Sequence, residues 1–217
     1  MNATKLLRNV VPMAATVFLC GCPTVHVHYL AQPERLAVRG TYIHPVSKIT
    51  MPERVADFQR DLVLRYDADG LDVSAGYNLV SASQRIAATV YVYPAPSLVS
   101  IGSPPNVVAG ARARLTEGEL ERRKLEIQQT HPGATLIRQR DTARTESGRS
   151  YPGKVAIFEY DDVFAGSRTR VLAHLYLFCY VGDKWAIEYR FTRPKVEDAD
   201  REIREFIQRW NWYGAGD

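Results

Sequence analysis

The sequence predicts an α+β domain, an antiparallel β-sheet packed by two main helices, one central and one C-terminal. Three observations predict it. Apolar and polar residues alternate from Leu71 to Leu79 and from Ile86 to Val92, the pattern of half-buried strands. The run Arg170 to Val181 is apolar on both faces and leads through Gly182-Asp183 into a second alternating run, as a central strand turning back through a tight hairpin would. Apolar residues recur at helical spacing between the two groups of strands and again at the end of the chain.

Taken in order, Thr50 and Glu53 have capping-box spacing around Pro52, and Val55 and Phe58 follow three apart, which predicts a short helix. Leu62, Leu64 and Tyr66 then begin an antiparallel meander over residues 62–93, with Asp67-Ala68-Asp69-Gly70 as its first turn. Residues 94–106, rich in Pro, Ser and Gly, read as a long loop, and such loops are often functional. The central helix carries Val108, Ala111, Leu115, Gly118 and Leu125 on one side, although Arg122 interrupts the stripe, and His131-Pro132-Gly133 ends it. Strands are expected at 135–144, 155–160 and 170–181. In the last of these Leu172, Tyr176, Phe178 and Tyr180 fall on one face, and Val171, Ala173, Leu175, Leu177 and Cys179 on the other. Trp185, Ile187, Tyr189 and Phe191 form the returning strand, and Pro194 breaks it. Val196, Ala199, Ile203, Phe206, Ile207 and Trp210 make the closing amphipathic helix.

The 217 residues are 46% hydrophobic and 24% charged, enough for one domain with a sizeable core. A net charge of +4, half of it from Lys5 and Arg8, is too mild to indicate nucleic acid. Arg112, Arg114, Arg122, Arg123 and Lys124 interleave with Glu117, Glu119, Glu121 and Glu126, as on a solvated helix face.

The amino terminus has the zones of an export signal. Lys5 and Arg8 precede a mostly apolar stretch from Val10 to Cys20, too short to span a bilayer, which needs about 20 apolar residues. Leu19-Cys20-Gly21-Cys22 follows. This segment resembles the lipobox of bacterial lipoprotein precursors, with Leu three residues before the acceptor and a small residue at the cut. The resemblance implies cleavage after Gly21 and lipid on the Cys22 thiol; Cys20 stands where Ala or Ser is commoner, and Cys20 itself is the poorer acceptor because Leu19 precedes it. The expected organisation is a signal peptide at 1–21, a lipidated tether at 22–40 and a single globular domain at 41–217. Pro23 rather than Asp after the acceptor implies the outer membrane, facing the periplasm, where the cell has one. His26 and His28, at i and i+2 in the tether, share one side of an extended chain but have no third ligand nearby, so a linker is the plainer reading. With Cys20 removed and Cys22 capped, Cys179 is the one thiol left, and it reads as a small buried hydrophobe.

No catalytic or cofactor motif appears in the mature chain, so no catalytic residue, metal or cofactor is assigned. The pocket or interface candidates are His174, Tyr176 and Tyr180, read as one aromatic strand face, and Trp212, which falls outside the stripe of the closing helix. Glu188 and Arg190 read as an exposed pair. The order of elements over residues 50–213 looks like the PsbP-like fold group, which implies a binding or assembly role without carrying over any residue. The expectation is a non-enzymatic envelope lipoprotein held to the membrane through Cys22, with an envelope protein or a small ligand as partner. The rival is an envelope-polymer hydrolase using Glu159, Asp161, Asp162 or His174 in a pocket under the 94–106 loop.

Overall fold

The computed structural model describes residues 28–81 and 85–213; the lipobox, with Gly21 and Cys22, and His26 lie outside them. The alternating runs become strands. In the first half these are β1 (Tyr29–Leu36), β2 (Tyr42–Ile43), β3 (Thr50–Met51), β4 (Arg54–Val55), β5 (Phe58–Asp67), β6 (Val73–Val80) and β7 (Arg85–Pro94). Helix α1 (Pro105–Thr130) leads to β8 (Thr135–Glu146), β9 (Arg149–Phe164), β10 (Ser167–Val181) and β11 (Trp185–Pro194), and α2 (Asp200–Arg209) closes the order. The main sheet is antiparallel throughout and runs β1-β5-β6-β7-β11-β10-β9-β8, with β4 paired to β5. Two hairpin meanders are thus joined where the last strand, β11, pairs with β7, Tyr189 opposite Val90. Strands dominate, with one helix central and one C-terminal among the described residues.

Each helix covers a different face of the sheet. The α2 face gathers Phe58, Val63, Val73, Tyr77, Val90, Ile187, Tyr189 and Phe191 beneath Ile203, Phe206 and Trp210. Phe206 is its hub: its ring meets Phe58, Tyr77 and Phe191 edge-on at centroid distances of 4.7, 5.3 and 5.3 Å. Each such contact adds about 0.5–1.5 kcal/mol beyond the area it buries. The α1 face gathers Tyr91, Tyr93, Ala156, Phe158, Val171, Leu175 and Leu177 beneath Leu120 and Ile127.

The short helix expected after Thr50 does not form. Thr50 and Met51 are in β3, and Arg54 and Val55 in β4. The Thr50 hydroxyl, which a capping box would need, donates to the Asn211 carbonyl at 2.9 Å, and the Thr50 N–H donates to Trp212 O at 2.8 Å. Contact with the end of the chain outweighs the local capping signal.

Part of the segment read as a tether is also an edge strand. Tyr29–Leu36 pairs with β5, and the register shifts between Tyr29 and Glu34, around Pro33. A proline has no N–H for a ladder, and an edge strand with an irregularity is where a sheet tolerates one.

The last described residues are clamped to β8. Arg144 is buried, pairs with Glu146 at 2.6 Å, donates to the Tyr189 hydroxyl at 3.1 Å, and donates to the carbonyls of Ile207 and Trp210. It therefore satisfies acceptors that the end of α2 leaves open.

Candidate functional site

Helix α1 rests on the sheet mainly from Leu115 onward. Thr116, Glu119, Leu120, Arg123 and Ile127 are its buried residues, whereas Pro105 to Leu115 are exposed or half-buried. Between that first half and the strands β8, β9 and β10 lies an open cleft of about 730 Å³. This is within the range of roughly 300–1,000 Å³ typical of small-molecule sites. Val108, Ala109, Ala113 and Thr116 line it from the helix, Tyr151, Pro152 and Gly153 from β9, and Cys179 and Tyr180 from β10. Small residues at 109 and 113 keep the helix side open. The 94–106 loop borders the cleft through Ser100 and Ser103.

The ionisable groups of the cleft are held by partners. Lys154 lies 2.7 Å from Asp141 and 2.8 Å from Glu117, whose hydrogen bonds raise its pKa and keep it an ammonium. Arg112 and Arg149 share Asp183, and the Arg112 hydrogen bond lowers the pKa of that carboxyl. Burial pushes the Cys179 thiol up to about 12, so it stays protonated at neutral pH. No group here is poised as a nucleophile or base.

Deeper under α1, two residues of the face read as solvated, Glu119 and Arg123, are turned to the sheet, while Arg114, Glu121 and Arg122 stay exposed. Arg123 Nε lies 2.9 Å from Glu119 Oε1 and 3.1 Å from Glu188 Oε2, and its guanidinium stands 4.2 Å over the Tyr93 ring. Tyr93 donates its hydroxyl proton between Glu119 and Glu188, at 2.9 and 3.2 Å. Arg190 pairs with Glu188 and lies 3.3 Å from Glu126, which is itself 3.1 Å from Arg123. Arg122 adds a third guanidinium at 2.6 Å from Glu119, so three cations face three carboxylates. Burial alone would raise the Glu119 carboxyl, but Arg123 and Arg122 outweigh it and leave its pKa below the usual range. Glu188 is completely buried, so the reading of Glu188 and Arg190 as an exposed pair is corrected. Arg123, which lies between Leu120 and Ile127 in sequence, was the signal: a cation inside a buried stripe needs a counter-charge on the facing sheet.

The structure does not bring the sequence-derived candidates together. His174 and Tyr176 lie on the α2 face, as does Phe178. Tyr180 does not join them. The β10–β11 register shifts between Phe178 and Val181, Tyr180 has a φ of 62°, and its side chain passes to the α1 face, where it lines the cleft. The extra residue of the bulge breaks the period-two count on which the shared face was based. Trp212 is core rather than surface: it is 0% exposed, its indole N–H donates to the Tyr189 hydroxyl at 2.6 Å, and its backbone N–H donates to Glu146 at 2.8 Å. His174 is 4% exposed, neither ring nitrogen has a hydrogen-bond partner, and burial lowers its pKa to about 4. Glu159 lies 2.9 Å from both Arg170 and Lys195, whose hydrogen bonds lower its pKa, and Asp161 lies 3.2 Å from Arg170. Asp162 lies 3.7 Å from His131 at the end of α1.

Among the described residues no three His, Cys, Asp or Glu side chains gather as a metal site, and no helix is long and apolar enough to cross a membrane. Compared with known proteins, the chain matches no family model, and no curated protein or solved structure is significantly similar to it.

Proposed function

We propose that this chain is a bacterial cell-envelope lipoprotein, anchored through lipid on Cys22 and facing the periplasm from the outer membrane, whose domain binds a small ligand without transforming it. The cleft between α1 and β8–β10 carries the binding reading: it has the volume of a ligand site, a largely apolar wall, and ionisable groups locked in ion pairs or held protonated. The hydrolase alternative draws no support from Glu159 and Asp161, which are engaged by Arg170 and Lys195. The anchor reading rests on Leu19-Cys20-Gly21-Cys22 and the charged and apolar zones before it.

Intact mass and membrane fractionation of the chain beside Cys22→Ala test the anchor. A lipid-sized increment on a chain beginning at Cys22, absent from the variant, supports it; identical behaviour of the two refutes it. Organic extraction of the purified protein beside Ala113→Trp tests the cleft. Ala113 is exposed on the helix side of the cleft, so the indole fills the space without entering the core. A small molecule released by the wild type and missing from the variant supports binding there, and equal release refutes it.

A further inference from the structure

Two cations meet one anion at the rim of the cleft. Arg112 Nη1 lies 3.0 Å from Asp183 Oδ1, and Arg149 Nη2 lies 3.4 Å from the same oxygen, so the trio has one positive charge in excess. The Arg112 Nε is buried without a hydrogen-bond partner. The two guanidiniums stand 4.9 Å over the Tyr180 ring and 5.1 Å over the Tyr151 ring, at the rim of the cleft, with the Arg112 side chain 31% and the Arg149 side chain 54% exposed. The first turn of α1 contributes the same sign, with no acidic residue and no side-chain cap. Further along α1 Lys154 faces two carboxylates, Asp141 and Glu117, so the excess there is negative. Val108, Ala109, Ala113 and Pro152 form the apolar wall of the cleft. Val99, Ile101 and Val107 stand exposed on the adjoining loop and first turn.

We infer that the cleft takes an anionic amphiphile with a long hydrocarbon chain, of the fatty-acid class, its carboxylate on Arg112 and Arg149 and its chain along Val108, Ala109 and Ala113. This rests on the binding reading above. The apolar wall accounts for the chain, and two guanidiniums sharing one carboxylate account for an acid head rather than a neutral one.

The test uses photoactivatable palmitate and photoactivatable hexadecanol, added to the cell fraction that carries the full chain, with labelled peptides mapped by mass spectrometry. The variants are Arg112→Gln with Arg149→Gln, and Ala113→Trp, each checked by thermal melt. Palmitate should label the peptides of α1 and β9 that line the cleft, at least tenfold more than hexadecanol. The double variant should erase that preference, a tenfold loss being about 1.4 kcal/mol, and Ala113→Trp should abolish labelling by both probes. Equal labelling by acid and alcohol in the wild type overturns the anionic head while leaving cleft binding standing. Absence of label from those peptides, or labelling unaffected by Ala113→Trp, overturns the cleft reading itself. Should the double variant fail to fold, the comparison of acid with alcohol in the wild type still decides.

Discussion

The guanidinium of Arg144 lies 4.4 Å over the indole of Trp212, so a residue of β8 holds the last described residues of the chain in place. That contact works together with the Glu146 pair and the two carbonyls Arg144 caps. Arg144→Ala would leave Glu146 buried without its cation and uncap the end of α2, and a loss of about 3–5 kcal/mol is expected. Arg144→Lys should recover little, because an ammonium cannot serve a carboxylate, a hydroxyl and two carbonyls from one planar fork. Urea midpoints of the three proteins check this, and a Lys variant as stable as wild type would contradict the clamp.

Buried and exposed ion pairs should respond differently. Glu188→Gln removes a carboxylate from a site with 0% exposure and leaves Arg123 and Arg190 short of one counter-charge, so a loss of about 3–5 kcal/mol is expected. Glu159→Gln breaks pairs with the half-exposed Arg170 and Lys195, where solvent screens the charges, and should cost far less. Chemical unfolding of both variants measures the contrast; equal losses would show that the network under α1 is not the buried element it is described as.

Two histidines make the fold acid-sensitive. Burial lowers the pKa of both His44 and His174 to about 4, against about 6.5 unfolded. The unfolded chain therefore binds more protons between those values, so stability is full above pH 6.5 and falls as pH drops toward 4. A shift of that size corresponds to at most about 3 kcal/mol per histidine. His174 has Arg193, Arg138 and Asp200 nearby, and the two arginines add to its resistance to protonation. Midpoints at pH 7 and pH 4.5 should differ markedly in the wild type and less in His174→Leu; an unchanged pH slope would place His174 in contact with water.

Thiol titration reports on both ends of the chain. Cys179 is 4% exposed with its pKa raised, so it should not react with an aromatic disulfide reagent at pH 8 until denaturant is added. If Cys20 is removed and Cys22 carries lipid, the denatured protein should then show one thiol per chain. Two or three thiols would remove the lipobox reading.

What the sequence determined by itself was the set of elements governed by local periodicity. The meander over 62–93, the doubly apolar β10, its turn at Gly182-Asp183 and the closing helix are legible because side-chain direction repeats every two residues in a strand and every 3.6 in a helix. The central helix was legible as a helix, but its buried side is Thr116, Glu119, Leu120, Arg123 and Ile127, and Gly118 and Leu125 of the expected stripe are exposed. The candidate cleft was legible only as a long loop worth noticing. Tertiary structure decided the rest wherever a residue's partner lies far along the chain. Thr50 forms strand rather than helix because its hydrogen bonds go to Asn211 and Trp212. Glu119 and Arg123 turn inward because Glu188 and Tyr93 meet them across the fold; a charge looks solvated in a sequence until its counter-charge is found. Tyr180 reaches the cleft because one extra residue in β10 reverses its face, and no count of alternating residues reveals where a ladder will bulge.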